Sequence, residues 1–363
     1  MLHELPAPPT FIQQPALMST TPALLPTLMR DSVILEPDRV RILDRRVFPF
    51  EHRFVDCRSY EEVARAIEDM VTQSSGPFFA SSAALVLAAR EAALESGMEQ
   101  RNRKMTAAGA RLIATRATNN NIATAVGRIL HESNALTEGG EAFAEAVEAQ
   151  VRRLWDERRA TSRIIGAYAA SLLNDGDRLL THCWADASFI EGLAAAQRAG
   201  KRLEVVCTET RPYLQGARLT AHSVAEMGLP VTVITDNMAA WAMDRGKVNL
   251  LLTAADRVTM SGHVINKIGT LQLAIAARAY KLPYYVTVIQ PDPKALTPQD
   301  VPIEERDPNE SLHCLGTRTA TPLAQGWYPS FDVTPPELVS AIVSRLGIHD
   351  PATLSAGVAA AAA

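Results

Sequence analysis

Polar side chains that could carry chemistry follow four short apolar runs between positions 177 and 270. The polar clusters are Thr181 to Cys183, Cys207 to Gly216, Thr235 to Met238, and Thr253 to Arg257. Short apolar runs that alternate with helical stretches are typical of buried parallel strands joined by crossovers. Ligands of such sheets bind beyond the carboxyl ends of the strands. We therefore expect the functional site where the four polar clusters meet.

Two of these clusters contain a residue that could act as an acid or a base. Cys183 lies at a strand end, on the ligand edge, although an isolated cysteine more commonly packs in the core. Asp256 is flanked by alanines, and a carboxyl group in apolar surroundings can hold a proton near neutral pH. The alternative for Asp256 is that it caps a turn. His182 precedes Cys183, but neighbouring residues on a strand point to opposite faces, which argues against a direct Cys–His pair.

Other residues in these clusters suit a phosphate group. Gln215 and Gly216 follow a strand and precede a helix, where main-chain N–H groups bind anions; surface ion pairing or capping is the alternative explanation. Asn266 and Lys267 are predicted at the start of another helix, with the same property. Arg116 precedes a helix that three asparagines would cap, and its guanidinium could reach a phosphate from the first half of the chain.

Size and composition exclude several classes of protein. The chain has 363 residues, enough for two domains, and 36 basic against 40 acidic residues give a net charge of −4, which indicates no nucleic-acid or membrane partner. The cysteines form no CxxC pair, so we expect no metal site, reduced thiols and a cytoplasmic location. No run approaches the ~20 apolar residues of a membrane span. No GxGxxG follows a strand, which disfavours a nicotinamide-dependent oxidoreductase.

The pattern divides the chain into four segments of an α/β protein. Residues 1–30 are rich in proline and are predicted to form an extended or mobile arm. Residues 31–160 are predicted to form a mostly helical domain with a small sheet, and residues 161–350 a parallel α/β domain. Residues 351–363 are low in complexity and are predicted to be unstructured.

Local signals predict the elements of the first domain. The alternation of apolar and polar residues from Asp38 to Cys57 predicts two short strands with a turn near Pro49. Residues Ser59 to Glu62 are similar to a capping box, and they predict the start of a helix that continues to Met70. The stretch at 72–82 breaks the helical pattern, and further helices are predicted within 83–97, 107–111, 122–131 and 140–169.

In the second domain the predicted order is strand and helix in alternation. A helix from Asn266 to Tyr280 leads to the final strand, Tyr284 to Ile289. A long polar loop containing "PIEERDPNE" follows. The stretch "SFDVTPPELVSAIVSRLGI" predicts one more helix, with Pro335 or Pro336 in its first turn, where a missing N–H is harmless.

Several motifs carry a family resemblance. The segments "THC", "ETRPYLQGARLTA", "ITDNMAAWAM", "SGHVINKIGTLQLAIAA" and "PIEERDP" resemble the methylthioribose-1-phosphate isomerase family. That family is related to ribose-1,5-bisphosphate isomerases and to the regulatory subunits of a eukaryotic translation-initiation exchange factor. The resemblance covers about Val40 to Ile348 and is densest between Cys183 and Lys267.

The resemblance implies a helical N-terminal domain, a Rossmann-like C-terminal domain and a homodimer. It also implies an aldose–ketose isomerase of the methionine-salvage type that acts on a small sugar phosphate without a metal or another cofactor. By motif position, Cys183 and Asp256 match the catalytic pair. The residues that match those holding the sugar phosphate are Arg116, Gln215, Asn266 and Lys267.

The chain departs from the family pattern in three places. Gln73 stands where the isomerases carry the arginine of "RGAP", so a neutral donor replaces a permanent charge at the phosphate. Trp184 follows Cys183 in place of the asparagine of "THCNAG", and the next loop is shorter. The segment "GHVINKIGT" is closer to the ribose-bisphosphate branch. We therefore predict a changed preference for the substituent on carbon 5, whether methylthio, phosphate or hydrogen.

Two alternatives stay open at this stage. A regulatory subunit could keep the pocket and bind a sugar phosphate without turnover, but the presence of both Cys183 and Asp256 favours an enzyme. The hydrogen that moves from carbon 2 to carbon 1 could travel as a proton or as a hydride, and the sequence does not separate the two routes.

Overall fold

The computed structural model describes residues 25–116, 120–137, 139–356 and 358. It has a helical part with a small antiparallel sheet and a second part built on a large, mostly parallel sheet, which confirms the expected α/β class. None of the described helices combines the length and the hydropathy needed to span a bilayer.

A three-stranded antiparallel sheet opens the first part. The two strands predicted around Pro49 are present, as β2 (Val40–Leu43) and β3 (Phe54–Cys57), and β1 (Val33–Leu35) is an additional strand beside β2. The inward side chains of β1 and β2 pack on the helices that follow, and they begin the first hydrophobic core.

The described residues of this part form the helices α1 (Thr27–Arg30), α2 (Tyr60–Glu68), α3 (Gly76–Ala92), α4 (Met98–Ala114), α5 (Asn120–Asn134) and α6 (Gly140–Ser171). The predicted start of α2 is confirmed, because the Ser59 hydroxyl accepts a hydrogen bond of 3.2 Å from the Glu62 N–H. Helix α3 is apolar around most of its circumference, and accordingly it lies buried among α2, α4, α5 and α6.

Helix α6 crosses the predicted domain boundary without a break. Near its middle, the Trp155 indole N–H donates to the Ser82 hydroxyl at 2.7 Å, within the first core. Further along, a Cβ on Gly166 would lie 2.7 Å from the backbone of Glu191, so α6 packs closely against α7 (Asp186–Arg198) of the second part. The division of the chain at residues 160 and 161 stays a prediction.

The large sheet has seven strands in the spatial order β15-β14-β10-β7-β4-β5-β6. All neighbours are parallel except the pair β14–β15. The strands are β4 (Arg178–Thr181), β5 (Glu204–Thr208), β6 (Val231–Ile234), β7 (Leu250–Ala254), β10 (Tyr284–Thr287), β14 (Ala341–Ser344) and β15 (Gly347–His349). From β4, the strands β5 and β6 are added in sequence towards one edge of the sheet. The chain then returns to pair β7 with the opposite side of β4.

Smaller elements surround the carboxyl ends of these strands. A second antiparallel sheet has the order β13-β9-β8, formed by Phe331–Thr334, Val264–Lys267 and Arg257–Val258. A short hairpin pairs β11 (His313–Cys314) with β12 (Thr317–Arg318). Further helices are α8 (Ala221–Glu226), which continues a π-helical turn at Gly216–Thr220, α9 (Ala239–Asp244), α10 (Thr270–Ala279) and α11 (Asn309–Leu312).

Two predictions for the C-terminal half were wrong. The stretch predicted as a last helix forms β13, a 3-10 turn at Pro336–Leu338, β14 and β15, so the strand at Tyr284 is not the final one. All four residues of β14 are buried, and a strand covered on both faces is a continuous apolar run that resembles a buried helix. Helix α10 begins at Thr270 and not at Asn266, because Gly269 has a left-handed φ of 103° between β9 and the helix.

The two ends of the described chain are more ordered than predicted. Within the predicted arm, Thr27 donates from its N–H and its hydroxyl to the carboxylate of Glu226, at 2.9 and 2.6 Å, and Leu28 is buried. Residues 1–24 lie outside the described residues. In the predicted tail, Pro351–Thr353 form a 3-10 turn and Leu354 is buried. Residues 357 and 359–363 lie outside the described residues.

Candidate active site

The two predicted catalytic residues follow the two strands at which the sheet order reverses. Cys183 comes two residues after β4, and Asp256 comes two residues after β7. These strands are hydrogen-bonded neighbours although β5 and β6 lie between them in the sequence. In open α/β sheets the crevice at such a switch point is the usual ligand site.

Cys183 is held in an unusual backbone conformation. Its φ is 63°, in the left-handed region that non-glycine residues rarely adopt. The Cys183 N–H donates to the Thr210 hydroxyl at 2.8 Å, and its carbonyl accepts from the Thr220 hydroxyl at 2.6 Å. Both bonds come from the segment after β5, so this segment fixes the direction of the thiol. Burial raises the pKa of the Cys183 thiol, which keeps it protonated at neutral pH.

His182 links three of the strand ends. Its Nε2 lies 2.9 Å from the Ile268 carbonyl, which can only accept, so Nε2 carries the proton. Its Nδ1 therefore accepts from the Thr208 hydroxyl at 2.6 Å. Burial lowers the pKa of His182, consistent with this neutral tautomer. Thr208 in turn lies 3.3 Å from the Thr210 hydroxyl that holds Cys183, so the imidazole positions the cysteine turn indirectly.

Asp256 stands between β7 and β8 on the wall of the crevice. Its side chain keeps solvent-accessible surface although protein atoms surround it on most sides. This desolvation raises the pKa of the carboxyl group, and the cations Arg257, Lys267 and Arg116 offset part of the effect. The arrangement leaves Asp256 reachable by a ligand and able to hold a proton above the usual pH range of a carboxyl group.

Lys267 lies at the end of β9, opposite Phe331. Only 5% of its surface is exposed, its ammonium donates to the Tyr328 hydroxyl at 3.3 Å, and it lies 5.2 Å from the centre of the Phe331 ring. Burial lowers the pKa of Lys267 to about 8, while Cys183 and Asp256 act on it electrostatically in the opposite direction. The ammonium group thus belongs to the same cluster as the two predicted catalytic residues.

The predicted phosphate-binding residues fall into two groups. Arg116 lies in the cluster, where Asp256 acts on its charge, and burial lowers the pKa of its guanidinium. Asn266 precedes Lys267 on β9, and consecutive strand residues point to opposite faces. Its amide donates to the Thr270 hydroxyl at 3.1 Å, at the start of α10, so the structure does not join Asn266 to the cluster.

Gln73 and Gln215 meet across the two parts of the molecule. The Gln215 amide donates to Oε1 of Gln73 at 3.3 Å, and both side chains are buried. Among the described residues, Oε1 of Gln215 and Nε2 of Gln73 have no hydrogen-bond partner, so one acceptor and one donor stay available to a ligand. Next to Gln215, Gly216 packs closely against the end of β5, because a Cβ there would lie 2.0 Å from the Thr208 carbonyl oxygen.

Two arginines on either side of Gln215, Arg211 and Arg218, donate to main-chain carbonyl groups of other segments. Arg211 donates to the carbonyl of His313 at 2.6 Å and holds the loop that contains α11. Arg218 donates to three carbonyls of the loop after β2, at 2.8 to 3.4 Å, and to the Tyr213 carbonyl at 2.8 Å. The start of α10 is also occupied, because Asp332 accepts from the N–H groups of Gly269 and Leu271. The hydrogen bonds of Arg211, Arg218 and Asp332 therefore hold segments of the protein together.

The structure adds residues to which the sequence assigned no role. Glu304 and Arg306 form an ion pair of 3.1 Å, and both act electrostatically on Lys267. The Arg306 N–H donates to the Tyr328 carbonyl at 3.0 Å, which brings the Tyr328 hydroxyl to Lys267. In the sequence the segment "PIEERDP" stands out only as a family motif, because a long polar loop carries no periodic signal that would fix its position. Within the described residues no group of three or more His, Cys, Asp or Glu side chains could hold a metal ion.

Comparison with known proteins agrees with this geometry. The sequence model of the initiation factor 2 subunit family matches residues 76–351. The chain belongs to the initiation factor 2 subunit family. Within that family it is 40% identical, over 326 residues, to the methylthioribose-1-phosphate isomerase of Thermosipho melanesiensis, an alignment that covers 86% of this chain and 93% of the relative. The predicted resemblance is therefore confirmed.

Solved structures that are similar to this chain include an isomerase and a translation initiation factor. The 5-methylthioribose 1-phosphate isomerase from Pyrococcus horikoshii OT3 superposes with a TM-score of 0.81 at 29% identity, covering 93% of this chain and 97% of that chain. The translation initiation factor eIF-2B, subunit delta, from A. fulgidus superposes with a TM-score of 0.78 at 31% identity, covering 88% and 96%. The fold is thus common to enzymes and to translation factors, and the site must decide between them.

Proposed function

We propose that this chain is an aldose–ketose isomerase that converts a 5-substituted ribose 1-phosphate into the ribulose 1-phosphate, with 5-methylthioribose 1-phosphate as its main substrate. The observation that carries the proposal is the cluster of Cys183, Asp256, Lys267 and Arg116 around the crevice at the sheet's switch point. The curated relatives named methylthioribose-1-phosphate isomerase support the same activity.

The cluster supplies the groups that the reaction needs. The phosphate locks the anomeric carbon, so the ring must open before hydrogen can move. Asp256, with its raised pKa, donates a proton to the ring oxygen as the bond from that oxygen to carbon 1 breaks. Hydrogen then leaves carbon 2 and a new C–H bond forms at carbon 1, while the proton of the 2-hydroxyl returns to Asp256. No atom is gained or lost, and the carboxyl group is regenerated.

Cys183 serves this reaction as a protonated thiol. Its raised pKa makes a thiolate base unfavourable at neutral pH, so we assign it hydrogen bonding to the sugar or closure of a dry pocket. A substrate deuterated at carbon 2 separates the two routes for hydrogen. Full retention of the label at carbon 1 indicates hydride transfer, and loss of label to water indicates a proton route.

The phosphate group is assigned to cations and neutral donors from both parts of the molecule. Lys267 and Arg116 supply charge, the free N–H of the Gln73 amide supplies a donor to the phosphate, and the free oxygen of Gln215 can accept from a sugar hydroxyl. Main-chain N–H groups near Gly216 complete the proposed set, from which Asn266 is left out because its amide donates to the Thr270 hydroxyl. Replacing Lys267 by alanine removes a charge-assisted contact, and it should weaken sugar-phosphate binding by roughly 1.5–3 kcal/mol.

A panel of substrates tests the proposal. Ribose 1-phosphates with methylthio, hydroxyl, hydrogen or phosphate at carbon 5 are incubated with the purified chain, and the ketose is detected by NMR. We expect turnover of at least the methylthio compound, and its loss in Cys183→Ser and Asp256→Asn. Cys314→Ser, at a cysteine outside the crevice, is the matched control and should keep full activity. Tight binding of these sugars without any turnover would instead favour a regulatory subunit.

We also assign the chain to the cytoplasm as a homodimer that needs no metal. The dimer is supported by apolar side chains at the free edge of the large sheet: Val233 on β6, Met238 and Trp241 are each more than 40% exposed. An exposed edge strand with apolar neighbours is a surface that proteins usually cover. Because the proposed enzyme needs no metal, it should keep full activity after treatment with a chelator.

A further inference from the structure

A cavity of about 40 Å³ lies between α1, α6 and the turn that follows β4. About 10–15 Å³ is enough for one water molecule, so the cavity accepts a larger body. The charged residues that line it are all arginines: Arg30, Arg45, Arg158 and Arg159. Its other polar lining residues are three serines and Trp184, and no carboxylate is among them. The cavity lies outside the proposed catalytic cluster and is cationic.

Arg45 is the innermost of these arginines. Only 1% of its surface is exposed, and its two terminal nitrogens donate to the Gln73 carbonyl at 2.8 Å and to the Ser32 hydroxyl at 2.6 Å. In the described part of the chain its Nε has no partner. Burial lowers the pKa of Arg45 to about 10, and Asp186 is the carboxylate that counteracts this. A guanidinium group so deeply buried calls for a counter-ion.

Arg158 competes for the same carboxylate. Its guanidinium lies 3.9 Å from Asp186 and packs over the Phe78 ring at 5.3 Å, with 12% of the side chain exposed. Two buried cations thus share one negative charge. Trp184 adds a donor, because it is 5% exposed and its indole N–H has no partner among the described residues. The charge and the unpaired donors both indicate an anionic ligand.

We propose that this cavity binds a small tetrahedral oxyanion, a phosphoryl group, held by Arg45, Arg158 and Trp184. Guanidinium groups match phosphate oxygens in geometry and charge, and an indole N–H can only donate. Two connections couple the cavity to the catalytic cluster. Trp184 directly follows Cys183, and Arg45 holds the main chain of Gln73. A bound oxyanion stiffens both segments, whether it is free phosphate or the second phosphate of a bisphosphorylated sugar.

Titration calorimetry with inorganic phosphate tests the site in the Lys267→Ala protein, in which the proposed substrate phosphate site is weakened. One phosphate should bind per chain. Adding Arg158→Gln should weaken that binding at least about tenfold, and Trp184→Phe should weaken it about threefold or more while an aromatic ring stays in place. Arg152→Gln, at an exposed arginine on the same helix that pairs with Glu148, is the matched control and should change nothing.

The proposal is overturned if the folded Lys267→Ala protein binds no phosphate, or if Arg158→Gln and Trp184→Phe bind it as tightly as their parent. Kinetics of Arg158→Gln, with Lys267 intact, identify the source of the phosphoryl group. A higher KM for ribose 1,5-bisphosphate alone points to the substrate's second phosphate, whereas unchanged KM values for all sugars point to free phosphate. Binding is measured without turnover, so failure of the isomerase assignment leaves this result intact.

Discussion

At the scale of single residues, the protein surroundings move the pKa values of Lys267 and Asp256 towards neutral pH from opposite sides. Burial lowers the pKa of the lysine to about 8, and the protein atoms around Asp256 raise the pKa of its carboxyl group, although that side chain keeps contact with solvent. Both groups therefore change protonation closer to neutral pH than they would in water. A phosphate ligand adds a counter-charge to Lys267, so it offsets more of the cost of burying the lysine than Asp256 and Glu304 do alone.

This argument predicts a pH limit that an arginine should remove. Lys267 carries its charge below pH 8 and loses it as the pH rises through 8, so kcat/KM should fall above that pH. In Lys267→Arg the charge persists, and the fall assigned to residue 267 should disappear even if the overall rate is lower. The measurement is kcat/KM for 5-methylthioribose 1-phosphate between pH 6 and 10. The same alkaline limb in both proteins contradicts the assignment of Lys267 to the phosphate.

The neutral side chain of Gln73 leads to a prediction about substrate specificity. Gln73→Arg should bind 5-methylthioribose 1-phosphate more tightly, because a guanidinium adds a charge-assisted contact that an amide lacks. Arg45, bonded to the Gln73 carbonyl, opposes a second charge nearby and limits the gain. Affinity is measured in an Asp256→Asn background, where turnover is absent, with Gln73→Met as the uncharged control of similar length. If the parent turns over this sugar as efficiently as Gln73→Arg, then Gln73 is a neutral replacement.

At the scale of elements, the strands β4 to β7 and their polar ends could be predicted from the sequence, because short apolar runs between helices have one simple explanation. The strand β14 could not. Its residues Ala341–Ser344 are buried on both faces, and the prolines before them suit a helix start as well as a strand entry. Arg306 and Tyr328 were missed for a related reason. Their loop is positioned by pairing with distant segments, which no local pattern records.

Gly216 and Gly127 make a matched pair for the element scale. A Cβ on Gly216 would lie 2.0 Å from the Thr208 carbonyl oxygen and 2.8 Å from the Thr210 hydroxyl, whereas Gly127 in α5 has no atom within 4 Å of such a Cβ. Gly216→Ala should therefore destabilise the fold by about 1–3 kcal/mol and disturb Cys183 through Thr210. Gly127→Ala should stabilise it by about 0.5–1 kcal/mol. Urea unfolding measures both, and an unchanged Gly216→Ala protein would falsify the close packing.

At the scale of the whole molecule, the candidate site is assembled from both parts of the chain. Gln73 and Arg116 come from the helical part, while Gln215 and Lys267 come from the part built on the large sheet. Helix α6 contributes to the cores of both, since Trp155 packs in the first and Ile165 and Ala169 pack against β14. This continuous helix fixes the relative position of the two parts, and with it the width of the crevice.

The β6 edge of the large sheet, at the end opposite β15, is the surface on which we predict that the homodimer forms. Strand β6 has no neighbour on its outer side within the described chain, Val233 is 46% exposed, and Trp241 is 58% exposed beneath the guanidinium of Arg245 at 3.9 Å. Buried tryptophans are frequent hot spots of interfaces, so Trp241→Glu should weaken the proposed homodimer at least about thirtyfold. Sedimentation should then show monomers at low micromolar concentration. Leu323→Glu, at a leucine that is 92% exposed elsewhere, should stay dimeric. A dimer that survives Trp241→Glu unchanged places the interface on another face of the molecule.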